Sequence, residues 1–521
     1  MKRLTIGLLA VLLLSAAACS KQEAAPGGTT VKKEQQLVIS IPAEPGPIDP
    51  AVTVDNSAYK LGYYSYERLL EYDGEKTDLV PGLSKKWEVS PDSKVYTFTL
   101  EQGHKFADGT EVNADAVKFT FDRLLKIGKG PSDSFNMIDE IKVLDPYKVE
   151  FTLKEPYPVF LPRVAGNYGS IVNPKVMEHE KDGDLAQGWL AVNTAGSGPY
   201  QLAEYKKGRY YKYIPNPNSA KKPKIGTVYF QINSDVSATR LKLTKGEIDI
   251  AEGIPIEQLL GLEKVPELEL IKAPSLMVDY IYMNIGKGNE ALKDKKVRQA
   301  ISYATNYQSV IKNIQKDTAI PFRGPIPEGL WGHDENAKMY NYDVDKAKQL
   351  LSESGKSGIE LTLLYTDNVP MWEPMALALQ NDLAQIGIKV KLNKVAYATM
   401  REMLDKGEFD LSFGRWVPDT ADPLEFMTPW FDSKYWGLSG NRSFYKNDEV
   451  DKLVREAASL QDKEQRLKLY QDVTKIVNED AVYVYLDQRQ YVLPISKKVQ
   501  GFKYNPMLEG VYNLQDMSIS E

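Results

Sequence analysis

Apolar and polar residues alternate in several short runs of this chain, and each run predicts a strand. Within residues 79–121, four apolar residues have the spacing expected of strands: Trp87, Tyr96, Phe98 and Leu100. A second aromatic cluster begins at Phe106, Asp108-Gly109 favours a turn, and Asn113 favours a helix start. This segment therefore predicts a hairpin that leads into a helix.

A change of apolar period in residues 361–392 predicts a second local unit. Leu361–Tyr365 is a β-rich run, Pro374–Ile386 has its apolar residues on one helical face, and Gly387 suits the helix end. Residues 388–392 then alternate again. A strand, helix and strand in this order predict a parallel pair with a right-handed crossover.

The remaining patterns complete an α/β prediction. They indicate a strand at 37–41, a helix at 59–70, paired strands at 142–144 and 148–153, a helical stretch at 448–478 interrupted at 461–462, and a final buried strand at 482–486. We take this α/β pattern to favour two lobes with a cleft between them.

Composition narrows the class of partner. The chain has 521 residues, of which 42% are hydrophobic and 26% charged, with a net charge of −6. These values are ordinary for a soluble globular protein, and no basic block predicts nucleic acid as a partner. The 31 tyrosines suit a large binding cleft, although half-buried sheet positions explain most tyrosines equally well.

The first 35 residues resemble an export signal and a tether. Lys2-Arg3 precedes an apolar run that is too short for a mature membrane span, and Ser15–Ala18 are small residues before Cys19. This pattern resembles the lipobox of bacterial lipoproteins, which implies lipidation of Cys19, although Ala16 stands where those proteins usually have Leu. Ordinary signal cleavage after Ala18 is the alternative. Residues 20–35 are polar and predict a flexible tether.

Residues 79–121, reading LVPGLSKKWEVSPDSKVYTFTLEQGHKFADGTEVNADAVKFTF, closely resemble a known family signature. The family comprises the extracytoplasmic solute-binding proteins of bacterial ABC importers, in the peptide/nickel class. The segments LVISIPAEPGPIDP, GSGPY and KGEID resemble further elements of the same family. The resemblance implies a two-lobed periplasmic-binding-protein fold of class II type, with an extra α/β domain inserted in the first lobe.

The same resemblance implies a division into domains. The first lobe is expected in residues 36–66, 198–275 and 491–521, the extra domain in 67–197, and the second lobe in 276–490. Residues 1–19 are expected to be the signal peptide.

A motif at Arg415–Pro423 provides the strongest candidate site, since it resembles the family pattern Trp-x-x-Asp-x-x-Asp/Glu-Pro. The resemblance implies that Asp419 pairs with the α-ammonium of a peptide. Trp416 offers an aromatic wall, and the backbone from Arg415 to Val417 could pair with an extended peptide. Asp419 could instead cap a turn. Thr420 departs from the Tyr that is common in the family at this position.

The carboxylate of a peptide would need a cation. Arg323, Arg415 and Arg442 are the candidates, because Arg forms bidentate pairs with carboxylates. An arginine in such a position more often forms a surface or structural ion pair. The chain has three His and one Cys without metal-ligand spacing, so we predict no metal site and no cofactor.

The sequence thus predicts an exported binding protein, not an enzyme, whose partners are a peptide ligand, an ABC permease and a membrane reached through the Cys19 anchor. We expect a monomer in the periplasm or at the cell surface. A nickel chelate, an oligosaccharide or another small solute is the alternative ligand. A signalling receptor and an exported hydrolase that uses Asp419 and Asp422 are the alternative functions, although their spacing gives no acid–base separation.

Overall fold

The computed structural model describes residues 35–520. The signal peptide, Cys19 and all of the predicted tether except residue 35 lie outside them.

Strands in the described residues are β1 Gln36–Ile41, β2 Leu70–Tyr72, β3 Leu79–Pro81, β4 Ser84–Val89, β5 Val95–Leu100, β6 Ile138–Asp145, β7 Lys148–Leu153, β8 Tyr200–Lys206, β9 Tyr210–Pro215, β10 Thr227–Ile232, β11 Ile250–Ala251, β12 Leu268–Met283, β13 Ala319–Ile320, β14 Glu360–Thr366, β15 Lys389–Val395, β16 Leu411–Trp416, β17 Tyr483–Ser496, β18 Val499–Gln500 and β19 Ser518–Ile519.

The α-helices over the same residues are α1 Asn56–Tyr63, α2 Ala114–Ile127, α3 Phe160–Ala165, α4 Gln187–Leu190, α5 Val236–Thr244, α6 Ile256–Leu259, α7 Lys295–Ala304, α8 Tyr307–Ser309, α9 Val344–Glu353, α10 Trp372–Ala384, α11 Tyr397–Lys406, α12 Leu424–Phe431, α13 Asp448–Ser459 and α14 Lys463–Glu479. A π-helical turn, Val310–Ile314, follows α8 directly.

Local sequence features, such as helix-capping residues, correctly predicted the positions of most of these elements. The Asn113 side chain accepts a hydrogen bond from the Ala116 N–H at 3.0 Å and starts α2. Asp462 caps α14 in the same way, through the Gln465 N–H at 2.8 Å, so the predicted interruption between α13 and α14 is confirmed. The predicted βαβ unit is also confirmed, since β14 and β15, which precede and follow α10 in the sequence, pair in parallel.

Two predictions of length are wrong. The helix predicted over 59–70 ends at Tyr63, because the carbonyls of Tyr64 and Ser65 accept hydrogen bonds from the Tyr200 and Gly198 N–H groups instead of continuing the helix. The strand predicted over 482–486 continues to Ser496, and two further short strands follow it. The polar run Asp487–Gln490 in the middle of this strand interrupts the apolar pattern, so the sequence does not reveal that the strand continues.

One mixed sheet of eleven strands organises the molecule. Ten strands follow the order β15-β14-β16-β12-β17-β11-β1-β10-β9-β8, and β13 joins the side of β17. β1 is parallel to both β10 and β11, whereas β12 is antiparallel to both β16 and β17. The predicted α/β class is therefore confirmed.

β12 and β17 are the longest strands of the sheet, with 16 and 14 residues. Their pairing is regular from Leu268↔Ser496 to Pro274↔Gln490 and resumes at Val278↔Gln488 after an irregularity. The break spans residues 275–277 of β12 and residue 489 of β17, and so lies next to the predicted boundaries at 275/276 and 490/491. These two strands therefore connect the predicted lobes through a locally interrupted ladder.

A separate sheet of four antiparallel strands, in the order β4-β5-β7-β6, lies within residues 67–197. The α2 helix packs on it through Phe121, whose ring meets that of Phe151 edge to face at 5.1 Å. Gly196 and Gly198 return the chain to the main sheet. A Cβ at Gly196 would lie 2.0 Å from the Ser65 carbonyl oxygen, so only glycine fits this close approach.

Candidate ligand-binding cleft

A cavity of about 360 Å³ opens where all three predicted domains meet. Its lining comes from residues 56–60, 251–259 and 491–510 of the predicted first lobe, from 163–168 of the predicted extra domain, and from 417–419 of the predicted second lobe. The volume lies within the usual range of small-ligand pockets. Two candidates from the sequence, Val417 and Asp419, line this cavity, whereas Trp416 and the three candidate arginines do not.

Tyrosine rings form much of the apolar wall. Tyr59, Tyr72, Tyr168 and Tyr491 line the cavity. Burial raises the pKa of Tyr168, so its phenol stays neutral near pH 7 and can both donate and accept hydrogen bonds. Such rings offer broad contact with little rotational freedom to lose. The wall can thus hold varied side chains.

Asp419 lies at the cavity wall beside an ion pair that bridges two predicted domains. Arg163 Nη2 lies 3.0 Å from Glu425 Oε1, while Arg163 Nη1 lies 4.0 Å from Asp419 Oδ2. The Asp419 side chain is 70% exposed, whereas the Arg163 and Glu425 side chains are 13% and 10% exposed. Thr420 also donates to Glu425, at 2.9 Å.

The charges of this group do not cancel. Burial raises the pKa of Glu425 and by itself lowers that of Arg163, but the Glu425 carboxylate reverses the effect on Arg163, whose pKa is raised overall. Arg163 is therefore cationic and already paired with Glu425. When Glu425 is ionised, Asp419 adds one uncompensated negative charge at this wall, which favours a cationic ligand group.

The β16 strand reaches the cleft with part of one edge free. β12 pairs with it from Val278↔Trp416 onward, whereas β14 pairs with it only at Leu411 and Ser412. On the β14 side, residues 413–416 have no strand partner within residues 35–520. The free edge suits the backbone pairing predicted for an extended ligand.

Trp416 packs away from the cavity. Its ring meets that of Trp430 edge to face at 6.3 Å, and its buried indole N–H has no hydrogen-bond partner among the described residues.

Asp422 has a structural environment. Its carboxylate is bound by Arg466, with Nη1 to Oδ2 at 2.8 Å, and its Oδ1 accepts from the Leu424 N–H that begins α12. Asp422 is buried, whereas Asp419 is exposed. The two carboxylates thus occupy different surroundings and do not face each other as an acid–base pair would.

Arg415 is engaged at the interrupted ladder between β12 and β17. Its guanidinium donates two hydrogen bonds to Asp279, both at 2.9 Å, and Arg489 approaches the same carboxylate at 3.4 Å. Gln315 donates to Asp487 at 3.2 Å. Burial, followed by the charge of Asp279, raises the pKa of Asp487 to about 7.

The other two candidate arginines lie elsewhere. Arg442 Nη1 donates to the Tyr282 hydroxyl at 2.7 Å, and its guanidinium lies over the Tyr282 ring at 5.6 Å. Arg323 lines a different cavity, within the predicted second lobe.

Glu509 and Lys60 are cleft residues that the sequence did not single out. Burial raises the pKa of Glu509, against the opposing effect of Arg489, and its carboxylate has no hydrogen-bond partner in the part of the chain that the structure describes. Lys60 is ion-paired with Glu252. No short motif marks these residues, or Arg163, because their roles depend on segments that meet only in the folded molecule.

Among residues 35–520 there is no cluster of three or more His, Cys, Asp or Glu side chains that could hold a metal ion. No helix in the described range is long and apolar enough to cross a membrane.

Comparisons with known proteins agree with the resemblance seen in the sequence. The family model of the bacterial extracellular solute-binding proteins, family 5, matches residues 78–437. The probable D,D-dipeptide-binding periplasmic protein DdpA of Escherichia coli K12 is 46% identical over 487 residues, which cover 92% of this chain and 94% of that protein.

Two solved structures share the fold. HbpA2 from Haemophilus parasuis superposes with a TM-score of 0.86 at 28% identity, covering 93% of this chain and all (100%) of that one. The ABC transporter-associated periplasmic binding protein DppA from Helicobacter pylori, in complex with the peptide STSA, superposes with a TM-score of 0.74 at 27% identity, covering 94% and 99%. The predicted two-lobed fold of class II type is thereby confirmed. The chain belongs to family 5 of the bacterial extracellular solute-binding proteins, the substrate-binding components of ABC importers.

Proposed function

We propose that this protein binds short peptides in the cleft, holds their free α-ammonium at Asp419, and delivers them to an ABC permease. The observation that carries the proposal is the uncompensated carboxylate of Asp419, which lines the cavity beside an arginine already paired with Glu425. A free peptide N-terminus is a cation whose burial requires an anion with good geometry.

The free edge of β16 and the tyrosine walls supply the remaining recognition. Backbone pairing from Arg415 to Val417, where the end of β16 reaches the cleft, would hold any extended peptide regardless of its side chains. The rings of Tyr168 and Tyr491 would pack against those side chains. We expect Arg489 to bind the peptide carboxylate. Its guanidinium makes a single 3.4 Å contact to Asp279, and its positive charge lowers the pKa of the cleft residue Glu509, against the effect of burial.

Relatives favour a short ligand. The relative at 46% identity is named as a probable D,D-dipeptide-binding protein, and one structural neighbour holds the peptide STSA. A cavity of about 360 Å³ suits a ligand of two to four residues with small side chains. We therefore propose dipeptides, including D,D-dipeptides, as the principal ligands.

A thermal-shift panel on protein stripped of ligand by unfolding and refolding tests the ligand class. The panel holds L-Ala-L-Ala, D-Ala-D-Ala, longer peptides, the N-acetylated form of each, nickel with histidine, and an oligosaccharide. Ligand at one hundred times its dissociation constant adds about 2.7 kcal/mol to the free energy of unfolding. Stabilisation by free peptides that disappears on N-acetylation supports the proposal. Stabilisation by the chelate or the sugar alone keeps the family and rejects the peptide.

We further propose the three-domain division predicted above, with closure of the two lobes about β12 and β17. The break in their pairing at Pro274↔Gln490 and the confinement of the four-stranded sheet to residues 67–197 support these boundaries. Ligand binding would shift an existing equilibrium between open and closed forms.

Export with a lipid anchor at Cys19 and a monomeric state complete the proposal. The small residues before the single Cys support the anchor. Membrane fractionation of the wild type and Cys19→Ser is the test. Release of the variant into the soluble exported fraction supports lipidation, and equal partition of both proteins contradicts it. Light scattering of the purified protein measures the oligomeric state.

A further inference from the structure

A second cavity, of about 270 Å³, lies wholly within the predicted second lobe. It is bounded by β17, by the loop that follows β13, by residues 338–342, and by the turn at 307–311. None of its lining residues lines the cleft. It is therefore a separate compartment next to the strand that joins the lobes.

Aromatic rings dominate the walls of this second cavity. They belong to Tyr307, Phe322, Tyr340, Tyr342 and Tyr485. Phe322 and Tyr485 meet edge to face, with ring centroids 5.2 Å apart. Such walls favour a flat apolar body, because aromatic groups gain from stacked and edge-to-face contacts beyond their buried area.

Three tyrosines of the wall offer their rings, and no free hydroxyl, to a ligand. The Tyr307 and Tyr340 hydroxyls donate to the carbonyls of Ser302 and Asn478, at 2.9 and 2.8 Å. The Tyr485 hydroxyl has no hydrogen-bond partner among residues 35–520, but its oxygen is itself buried, so a ligand in the cavity contacts the ring and not the hydroxyl.

One cation at the cavity is also unpaired. Lys338 forms an ion pair with Glu479 at 2.6 Å. Arg323 is half-buried and forms no ion pair with the residues that the structure describes. The cavity therefore combines aromatic walls with one excess positive charge.

We propose that this cavity binds a small aromatic carboxylate. The carboxylate pairs with the Arg323 guanidinium, and the ring packs between the tyrosines. Arg is suited to this role because its planar fork binds carboxylates bidentately. An amine in place of the acid would face the unpaired arginine and be repelled.

The proposed site is independent of peptide binding in the cleft. Asp419 and Glu509 contribute nothing to it, and Arg323 and Tyr485 line no part of the cleft. The two proposals can therefore fail separately.

Isothermal titration calorimetry with 4-hydroxyphenylacetate tests the site, and tyramine serves to replace the acid with an amine. The variant is Arg323→Gln, with Arg209→Gln as the matched control because Arg209 is exposed and forms no ion pair in the described range. Thermal unfolding of each variant verifies that it folds.

The expected result is saturable binding of 4-hydroxyphenylacetate by the wild type and by Arg209→Gln, and none of tyramine. Arg323→Gln weakens this binding by about tenfold or more, the effect expected from loss of a charge-assisted hydrogen-bond pair. No binding by the wild type, equal affinity in Arg323→Gln, or displacement by a dipeptide that binds the cleft would each overturn the proposal.

Discussion

In the function that we propose, recognition of a peptide N-terminus depends on Asp419. Its side chain is 70% exposed in this structure. The neighbouring cation, Arg163, lies 3.0 Å from the Glu425 carboxylate but 4.0 Å from that of Asp419. Asp419 is therefore available to a new cation. Closure of the lobes over the cleft would remove water from the resulting pair and strengthen it.

We predict that Asp419→Asn weakens dipeptide binding by about tenfold or more, because breaking a desolvated charge pair typically costs about 2–5 kcal/mol. Calorimetric titration of each variant measures the loss. Asp472→Asn is the matched control, since Asp472 is an exposed aspartate on α14. If Asp419→Asn binds the dipeptide with wild-type affinity and Glu509→Gln binds it more weakly, the ammonium is held by Glu509 and not by Asp419.

Asp487 supports a prediction about pH. Its pKa is raised from 3.8 to about 7 in the folded protein by burial and by Asp279, so the folded state binds a proton that the unfolded state has already released above pH 4. The free energy of unfolding therefore falls as pH rises from about 4 to about 7, through this one group. Arg415, Arg489 and Gln315 favour the charged form but do not outweigh burial.

Asp487→Asn removes this dependence and keeps an oxygen that accepts from Gln315. We expect the variant to exceed the wild type in free energy of unfolding by roughly 1–4 kcal/mol above the folded-state pKa, with little difference below the unfolded-state pKa. Urea unfolding at pH 4 and pH 8 checks the values on either side of that range. A difference that is the same at both pH values would contradict the assignment.

At the scale of elements, the interrupted ladder between β12 and β17 is held by side chains. Gln488 donates to the carbonyls of Ser275 and Glu328, at 2.7 and 2.8 Å, and accepts from the Glu328 N–H at 2.9 Å. The Ser275 hydroxyl donates to the Arg489 carbonyl at 2.9 Å. The bonds to the Ser275 and Arg489 carbonyls satisfy groups that regular pairing of β12 and β17 would otherwise satisfy, and the bonds to Glu328 tie a neighbouring loop to the same point.

We predict that Gln488→Leu lowers the free energy of unfolding by about 1–3 kcal/mol, because it leaves the buried Ser275 carbonyl unpaired and also removes two bonds to the backbone of Glu328. Denaturant unfolding measures the loss. Gln500→Leu is the matched control, since Gln500 is exposed and donates to only one carbonyl. Equal stability of the two variants would mean that water replaces Gln488 and that the break does not depend on its side chain.

Elements with a local signal were predictable and those set by distant contacts were not. Asn113 and Asp462 begin helices through bonds to residues three positions away, and a sequence shows such pairs directly. The end of α1 depends on bonds from Gly198 and Tyr200, more than 130 residues later in the sequence. The polar middle of β17, Asp487–Gln490, is extended because β12 pairs along the strand on both sides of it, and the sequence pattern does not predict this continuation.

At the scale of the whole molecule, the fold and one wall of the cleft could be predicted, because family signatures are local strings. The motif at Trp416–Asp419 led to Val417 and Asp419, which both line the cavity. Arg163, Glu425 and Glu509 could not be selected, since their roles arise only where separate domains meet. The placement of Arg323 in a second cavity was equally beyond the sequence.

The most direct test of the account is small-angle X-ray scattering of ligand-free protein with a dipeptide and with its N-acetylated form. Since the cleft is lined from all three predicted domains, a ligand that bridges them should close the lobes and reduce the radius of gyration. We predict that the free dipeptide compacts the protein and the N-acetylated form does not. An unchanged radius of gyration at saturating free dipeptide, or equal compaction by both forms, would contradict recognition of a peptide N-terminus in this cleft.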